Sequence, residues 1–283
     1  MFVALLLSLV GCQDYSLNSA EPLDTDDELL DTGFVVPTPV PQAGAPIAVC
    51  EVSPNPVAPP FESATFDGSG SYDPEGLDIV DYNWTLSEKP QGSAAEMPPG
   101  QAVRAGFTPD NSGLYVGRLV VTNSAGVQSD ACEAELEAVP AQNLWVEMYW
   151  DQEGDDMDLH LLAPGGAPRS SDDCYYINCD ESSGDVLDWG VQGNPIDNPR
   201  LALDDIEDVG PENINIDSPD ASGGGFTVMV HDFPGGPTSP TNVTVNVYLN
   251  GALVWSDTRS ISGNDDDVYF AQIDWNQGTV TSL

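Results

Sequence analysis

Asp156-Met157-Asp158-Leu159-His160 sets two carboxylates and an imidazole at two-residue spacing. On a β-strand successive side chains point to opposite faces, so Asp156, Asp158 and His160 would line one face while Met157, Leu159 and Leu161 line the other. A second acidic run, Asp204-Asp205-Ile206-Glu207-Asp208, stops just before a Gly-Pro-Glu turn. Short carboxylates on loops suit calcium, a hard cation that takes about six to eight oxygens in flexible geometry. The candidate metal ligands are therefore Asp156, Asp158, Asp204, Asp205 and Asp208, and the competing reading of the same residues is a solvated acidic face. His160 and His231 could instead complete a zinc or copper site, or act as hydrogen-bonded structural residues. Nearer the N-terminus Asp67, Asp73, Glu75 and Asp78 surround a Gly-rich loop, where calcium and ordinary turn chemistry explain the same letters.

Catalysis needs a nucleophile, a base and an orienting group in one place. The chain has no Gly-x-Ser-x-Gly, no His-Glu-x-x-His and no phosphate-cradling loop, the motifs that deliver those groups in common hydrolases and nucleotide enzymes. Carboxylate pairs for glycoside hydrolysis are a matter of spatial separation, which sequence does not give. The chain is expected to be non-enzymatic. Trp189, Tyr175 and Tyr176 offer flat faces on which a sugar could stack, and would serve equally in a core. Charge excludes more: 47 acidic and 6 basic side chains give a formal charge of -41 over 283 residues. Nucleic-acid binding requires Lys and Arg to neutralise phosphates, and attraction to an anionic membrane surface requires the same residues. Neither partner is expected.

The elements that must hold these residues are strands. The 24 Pro and 27 Gly break the chain into short runs rich in Val, Ile, Thr and Tyr, leaving no room for long helices. A hydrophobic content of 40% with 6 Trp is too high for a chain disordered throughout. IAVCEV, SATFD, IVDYNWTL, VRAGF, YVGRLVVTN and AELEAV recur between turn residues, and LWVEMYW, MDLHLLAP, FTVMVHDF, NVTVNVYLNGALVWS and VYFAQIDW follow. That is sandwich spacing. The reading is all-β, with two consecutive antiparallel β-sandwich domains at 45–139 and 143–283. In the third run Val80, Tyr82 and Trp84 share a face, so Trp84 is expected in the core. Residues 13–44 are acidic and then Pro-rich without an apolar period, the composition of an extended solvated tether.

Phe2 to Val10 is too short to span a bilayer, which takes about 20 apolar residues, but suits a signal-peptide core. It ends in Leu9-Val10-Gly11-Cys12, which resembles the bacterial lipobox. That resemblance implies cleavage before Cys12 and its acylation, with residues 1–12 as the lipoprotein signal; the alternative is an ordinary buried or free Cys. Two or three acyl chains anchor stably where one does not. No basic residue precedes the apolar run, so a translation start further upstream stays open. A lipidated Cys12 leaves four of five Cys, enough for two disulfides in an oxidising compartment, and their spacing pairs Cys50 with Cys132 and Cys174 with Cys179. A thiolate zinc site competes weakly, since the chain has no Cys-x-x-Cys.

FDGSGSYDPEG, IVDYNW and LYVGRLVVTNSAG make the first half similar to the polycystic-kidney-disease (PKD) domain, an Ig-like sandwich common on bacterial surface proteins and secreted enzymes. Where many such domains read Trp-x-Phe-Gly-Asp-Gly, this one reads Trp84-Thr85-Leu86-Ser87-Glu88. Asp156-Met157-Asp158-Leu159-His160, Gly210-Pro211-Glu212-Asn213-Ile214, a strand ending in His231, and Ile273-Asp274-Trp275 make the second half resemble a bacterial domain family of undefined function, found in lipoproteins and other envelope proteins. The resemblances imply two sandwiches and a lipid-anchored place in the bacterial envelope, at the outer membrane or cell surface. The expected function is an extracellular binding or adhesion module for a polysaccharide or protein ligand, with Ca2+ as its one candidate cofactor. The alternatives are a structural envelope spacer and an accessory binding subunit of a carbohydrate-active or proteolytic system.

Overall fold

Along Cys132–Ala138 every second residue is a glutamate, and Glu133, Glu135 and Glu137 are exposed while Ala134, Leu136 and Ala138 are buried. This alternation, one face to water and one to hydrocarbon, is the sequence signal of a half-buried strand. The computed structural model describes residues 44–98, 104–180, 187–206, 208–220, 224–237, 239–263 and 265–283. Cys12 and the tether up to residue 43 lie outside them, as does Glu207. Among the described residues no helix is long and apolar enough to cross a membrane.

The first sandwich comprises β1 (Glu51–Ser53), β2 (Ala64–Asp67), β3 (Ile79–Glu88), β4 (Arg104–Phe107), β5 (Gly113–Asn123) and β6 (Cys132–Ala138). Its sheets run in the orders β1-β2-β4 and β3-β5-β6, all neighbours antiparallel. Phe66, Trp84, Phe107, Tyr115, Leu119, Val121 and Leu136 fill the space between them. Phe66 sits at the centre, with ring centroids 5.5 Å from Trp84 and 5.8 Å from Phe107. Gly117 on β5 makes room for it, since a Cβ there would fall 2.4 Å from the Phe66 ring. Trp84 is buried as its alternation requires, but Val80 is 60% exposed. A β-bulge between Ile79 and Asp81 shifts the phase, so Ile79 turns toward the core in place of Val80. Cys50 is bonded to Cys132, which ties the segment entering β1 to the start of β6.

The second sandwich comprises β7 (Leu144–Trp150), β8 (Met157–Leu162), β9 (Asp173–Cys174), β10 (Arg200–Leu203), β11 (Glu212–Ile216), β12 (Gly225–Asp232), β13 (Thr241–Leu249), β14 (Ala252–Ile261), β15 (Asp267–Asp274) and β16 (Thr279–Ser282). Two five-stranded antiparallel sheets, β10-β11-β7-β13-β14 and β16-β15-β12-β8-β9, face one another. Leu144, Val146, Met148, Leu159, Leu161, Ile214, Val228, Val230, Val245 and Ile273 form the core between them. Cys174 and Cys179 are joined across CYYINC.

Strand β7 is buried on both faces, and the two faces do different work. Leu144, Val146, Met148 and Trp150 belong to the core of the second sandwich, while Trp145, Glu147 and Tyr149 meet the first. Phe61 packs edge-on against Trp145 with centroids 6.5 Å apart, and Gly92 approaches Tyr149 so closely that a Cβ would overlap its ring. Glu147, 2% exposed, collects four donors: the Ser112 amide from the first sandwich at 3.2 Å, Trp145 Nε1 at 3.1 Å, Asn246 Nδ2 at 3.1 Å and the Tyr248 hydroxyl at 2.9 Å. One carboxyl thus satisfies polar groups from both sandwiches at their junction. Glu147→Ala should orphan all four donors and lower unfolding free energy by about 3 kcal/mol, read by urea denaturation of the full chain; Glu147→Gln, which keeps an acceptor, should lose less.

Candidate functional site

Strand β8 carries the Asp-x-Asp-Leu-His segment, and its alternation is as the residue types dictate. Met157, Leu159 and Leu161 join the core, and Asp158 and His160 take the opposite phase. That opposite face is not open to water: Asp158 is 3% and His160 1% exposed. The segment around β9 lies over it, with the Tyr175 ring stacked on His160 at 4.8 Å and Asp173 Oδ2 2.7 Å from His160 Nδ1.

Asp158, Asp204 and Glu212 converge, each offering a carboxylate oxygen, with these atoms all within 4.8 Å of one another. Among the described residues this is the one group of three or more His, Cys, Asp or Glu side chains so disposed. Strand β11 brings Glu212, where it shares the phase of the core residues Ile214 and Ile216 and is 1% exposed. Its Oε2 accepts the Leu159 amide at 2.6 Å, while its Oε1 has no hydrogen-bond partner. Asp158 Oδ2 and Asp156 Oδ1 are buried and unpartnered as well. Asp204 follows β10 and is the exposed member, the point where the group meets solvent.

Electrostatics mark the same place. Burial, reinforced by the charges of Asp156 and Asp204, pushes the Asp158 carboxyl up to about 8. Burial and the Asp204, Asp155 and Asp205 charges push Asp156 up to about 6. Glu212 is raised well above the ordinary range, by burial first and then by Asp158, and Asp204, although its edge meets solvent, is raised by partial desolvation with Glu212 acting in the opposite direction. Arg169 moderates the field at Asp158 from a distance, but its guanidinium is engaged by Asp267 at 2.7 and 2.9 Å. The arrangement suits a hard cation. Calcium–oxygen distances of about 2.3–2.6 Å put two oxygens on one ion up to roughly 5 Å apart, and the observed oxygens fall within that span.

Of the five ligands expected from sequence, the structure gathers Asp158 and Asp204 in this group, with Asp156 beside it. Asp205 and Asp208 serve the loop instead. Asp205 accepts the Asp208 and Gly210 amides at 3.2 and 2.7 Å, and the Asp208 carbonyl accepts Trp150 Nε1 at 3.1 Å. Glu212 was not among the five, although its signal is present: a lone Glu in phase with Ile214 and Ile216. His160 and His231 have centroids 6.2 Å apart, with their Nδ1 atoms taken by Asp173 and by Asp267. In the first sandwich Asp73 accepts the Glu75 amide and Asn123 Nδ2, the latter holding its carboxyl below the usual range, and Asp67 accepts the Ser69 amide. Those are turn roles. Tyr175 and Trp189 are each 8% exposed, and Tyr176 is half-buried.

No family model matches the chain, and no curated protein matches it. Solved structures with some likeness include the PKD domain of the KIAA 1837 protein, 25% identical over 34% of this chain and 85% of that one, with a TM-score of 0.25. A structure from work on carbohydrate-binding modules of the β-sandwich superfamily is 13% identical, covering 81% and 84% of the two chains at a TM-score of 0.30. The Yersinia pseudotuberculosis adhesin InvE is 13% identical, covering 76% and 58% at 0.26. Likenesses at these scores carry no argument about function, which rests below on the residues of this chain.

A consequence for pH follows. The raised carboxyls hold protons in the folded protein at pH values where the unfolded chain has released them, so their contribution to stability is present below the ordinary carboxylate range and is lost as pH rises toward 8. With a chelator present, the melting temperature should fall between pH 5 and pH 8. Asp158→Asn should flatten that fall, and a wild-type melting temperature that stays level or rises across the interval would contradict the shifts.

Proposed function

We propose that this chain is a non-catalytic, calcium-stabilised binding module of the bacterial envelope, held by an acylated Cys12. The observation that carries the calcium reading is the cluster of Asp158, Asp204 and Glu212, with Asp156 beside it: Asp156, Asp158 and Glu212 each carry a buried unpartnered oxygen, and the last two residues are almost wholly buried. A buried carboxylate without a partner is costly, and a divalent ion is the simplest group that satisfies several at once. Asp156, Asp158, Asp204 and Glu212 are the ligands we assign. Burial also favours binding over catalysis, because the two carboxyls with the most perturbed protonation, Asp158 and Glu212, lie beneath the surface where a polymeric substrate does not reach.

The anchor rests on the Leu-Val-Gly-Cys junction, and the scarcity of basic residues, 6 against 47 acidic, disfavours a phosphate partner and favours a polysaccharide or protein ligand as the extracellular target. In thermal unfolding of the full chain at pH 7.5, millimolar calcium should raise the melting temperature where an ionic-strength-matched sodium chloride control does not. Linkage gives about 2.7 kcal/mol at a hundredfold excess over the dissociation constant. Asp158→Asn and Glu212→Gln should each remove most of the calcium-specific gain and leave the sodium response unchanged. Equal responses to calcium and matched sodium would reduce the cluster to buried acids held by protons.

A further inference from the structure

At the far end of β8 from the acidic cluster, a cleft of about 220 Å³ opens where Ala163 and Pro164 leave the strand. Four carboxylates line it, Asp172, Asp188, Asp197 and Asp220, and none of its lining residues is basic. Its apolar wall is Trp189 and Phe226, stacked with centroids 6.1 Å apart and ring planes 19° from parallel. Trp189 Nε1 donates to the Ser171 carbonyl at 3.1 Å, so the indole's one polar atom is already satisfied. Asp197 is 4% exposed. Its Oδ2 accepts the Val191 amide at 2.9 Å, and its Oδ1 is buried with no partner. Gly190, at φ +61°, lets the loop close on these acids: a Cβ there would come within 2.8 Å of Asp197 Oδ2 and of Asp220 Cβ.

The unpartnered Asp197 Oδ1, in a cleft whose lining holds no base, calls for a hydrogen-bond donor of positive charge, and two observations decide its kind. Among the described residues, three carboxylate, His or Cys ligand atoms converge within 4.8 Å at Asp158, Asp204 and Glu212 and nowhere else, so no three acids of this cleft bring their oxygens together as a cage for a bare ion. Trp189, Phe226, Ala163 and Pro164 cannot ligate a metal, but they can cover methylene groups. We propose that this cleft binds a primary alkylammonium group, its charge against Asp197 and the neighbouring carboxylates and its apolar stem along Trp189 and Phe226. Ammonium donors would supply the buried Asp197 Oδ1 with the hydrogen bond it lacks, and aromatic faces favour a cation further. This inference rests on the binding-module reading and names the chemistry of the ligand; it does not depend on the calcium site.

The test is calorimetric titration of the full chain with cadaverine in 150 mM sodium chloride and 2 mM calcium chloride. Salt suppresses diffuse attraction to a strongly acidic surface. Saturable binding at one site is expected, with 1-pentanol, the neutral counterpart, not binding. Asp197→Asn should weaken binding about tenfold, the loss of one charge-assisted bond. Should that variant fail to fold, Asp188→Asn, on an exposed carboxylate that can still accept the Gly193 amide, should weaken binding in the same direction. Glu133→Gln, a remote surface charge in the first sandwich, should change nothing. A lysine-containing tripeptide in place of cadaverine separates a protein-borne ammonium from a free polyamine. Cadaverine heats that do not saturate, that match those of 1-pentanol, or that respond equally to Asp197→Asn and Glu133→Gln would overturn the proposal. Because Asp158 lies outside the cleft, Asp158→Asn should leave cadaverine binding intact, and a wild-type chain that binds cadaverine but gains no stability from calcium would count against the calcium reading alone.

Discussion

A carboxyl group standing where the pattern of its strand calls for hydrocarbon is the constraint around which the second sandwich is arranged. Glu212 continues the phase of Ile214 and Ile216, yet it is an acid and almost wholly buried. Strand β8 needs it there. Strand β9 pairs only with Leu161 and Leu162, so the Leu159 amide has no strand partner on that side, and Glu212 Oε2 at 2.6 Å takes the place of the missing carbonyl. The bond crosses from one sheet to the other, and it fixes how β11 stands against β8. Asp158 and Asp204 then meet beside it as a result of that placement. A backbone group left unsatisfied at a buried edge would be expensive, and the remedy concentrates negative charge that must itself be relieved.

Basic residues show how the chain distributes the little positive charge it has. Arg200 is bonded to Asp217 at 2.6 and 3.1 Å and lies over the Phe61 ring. Arg259 takes Asp257 and the carbonyls of Tyr269 and Phe270, with its guanidinium 4.6 Å from the Phe270 centroid. Arg169 binds Asp267 with two donors. Each covers an apolar ring or ties loop to sheet, so these three arginines serve the architecture of the fold.

Much of this was written locally. Alternation placed Met157, Leu159 and Leu161 inside, and cysteine spacing paired Cys50 with Cys132 and Cys174 with Cys179 as the structure has them. What local pattern could not give were phase shifts and long-range partners. Val80 left the core because a bulge, set by pairing with β5, moved the register by one residue. Strand β11 was not among the expected runs, because Asn213 and Asn215 lower its β-propensity. They are buried there by side-chain bonds, Asn213 Nδ2 to the Val146 carbonyl and Asn215 Nδ2 to Asn213 Oδ1. Missing that strand meant missing Glu212. Asp204 stands with Asp158 and Glu212, whereas the Asp205 carboxylate is engaged by amides of its own loop, a difference that composition does not carry.

The bond between Cys50 and Cys132 has a mechanical side. Tension drawn along the backbone from the N-terminal side reaches Cys50 and passes through sulfur to Cys132, a sequence separation of 82 residues, without entering β1 to β5. Those intervening residues, which would add roughly 280 Å if paid out at full extension, are locked out of the load path. Strand β6 delivers the pull onward toward β7, where Glu147 and Tyr149 already hold the two sandwiches together. A chain built this way gives under load by shearing β6 from its neighbour or by loosening the second sandwich, while the hydrophobic interior around Phe66 is bypassed.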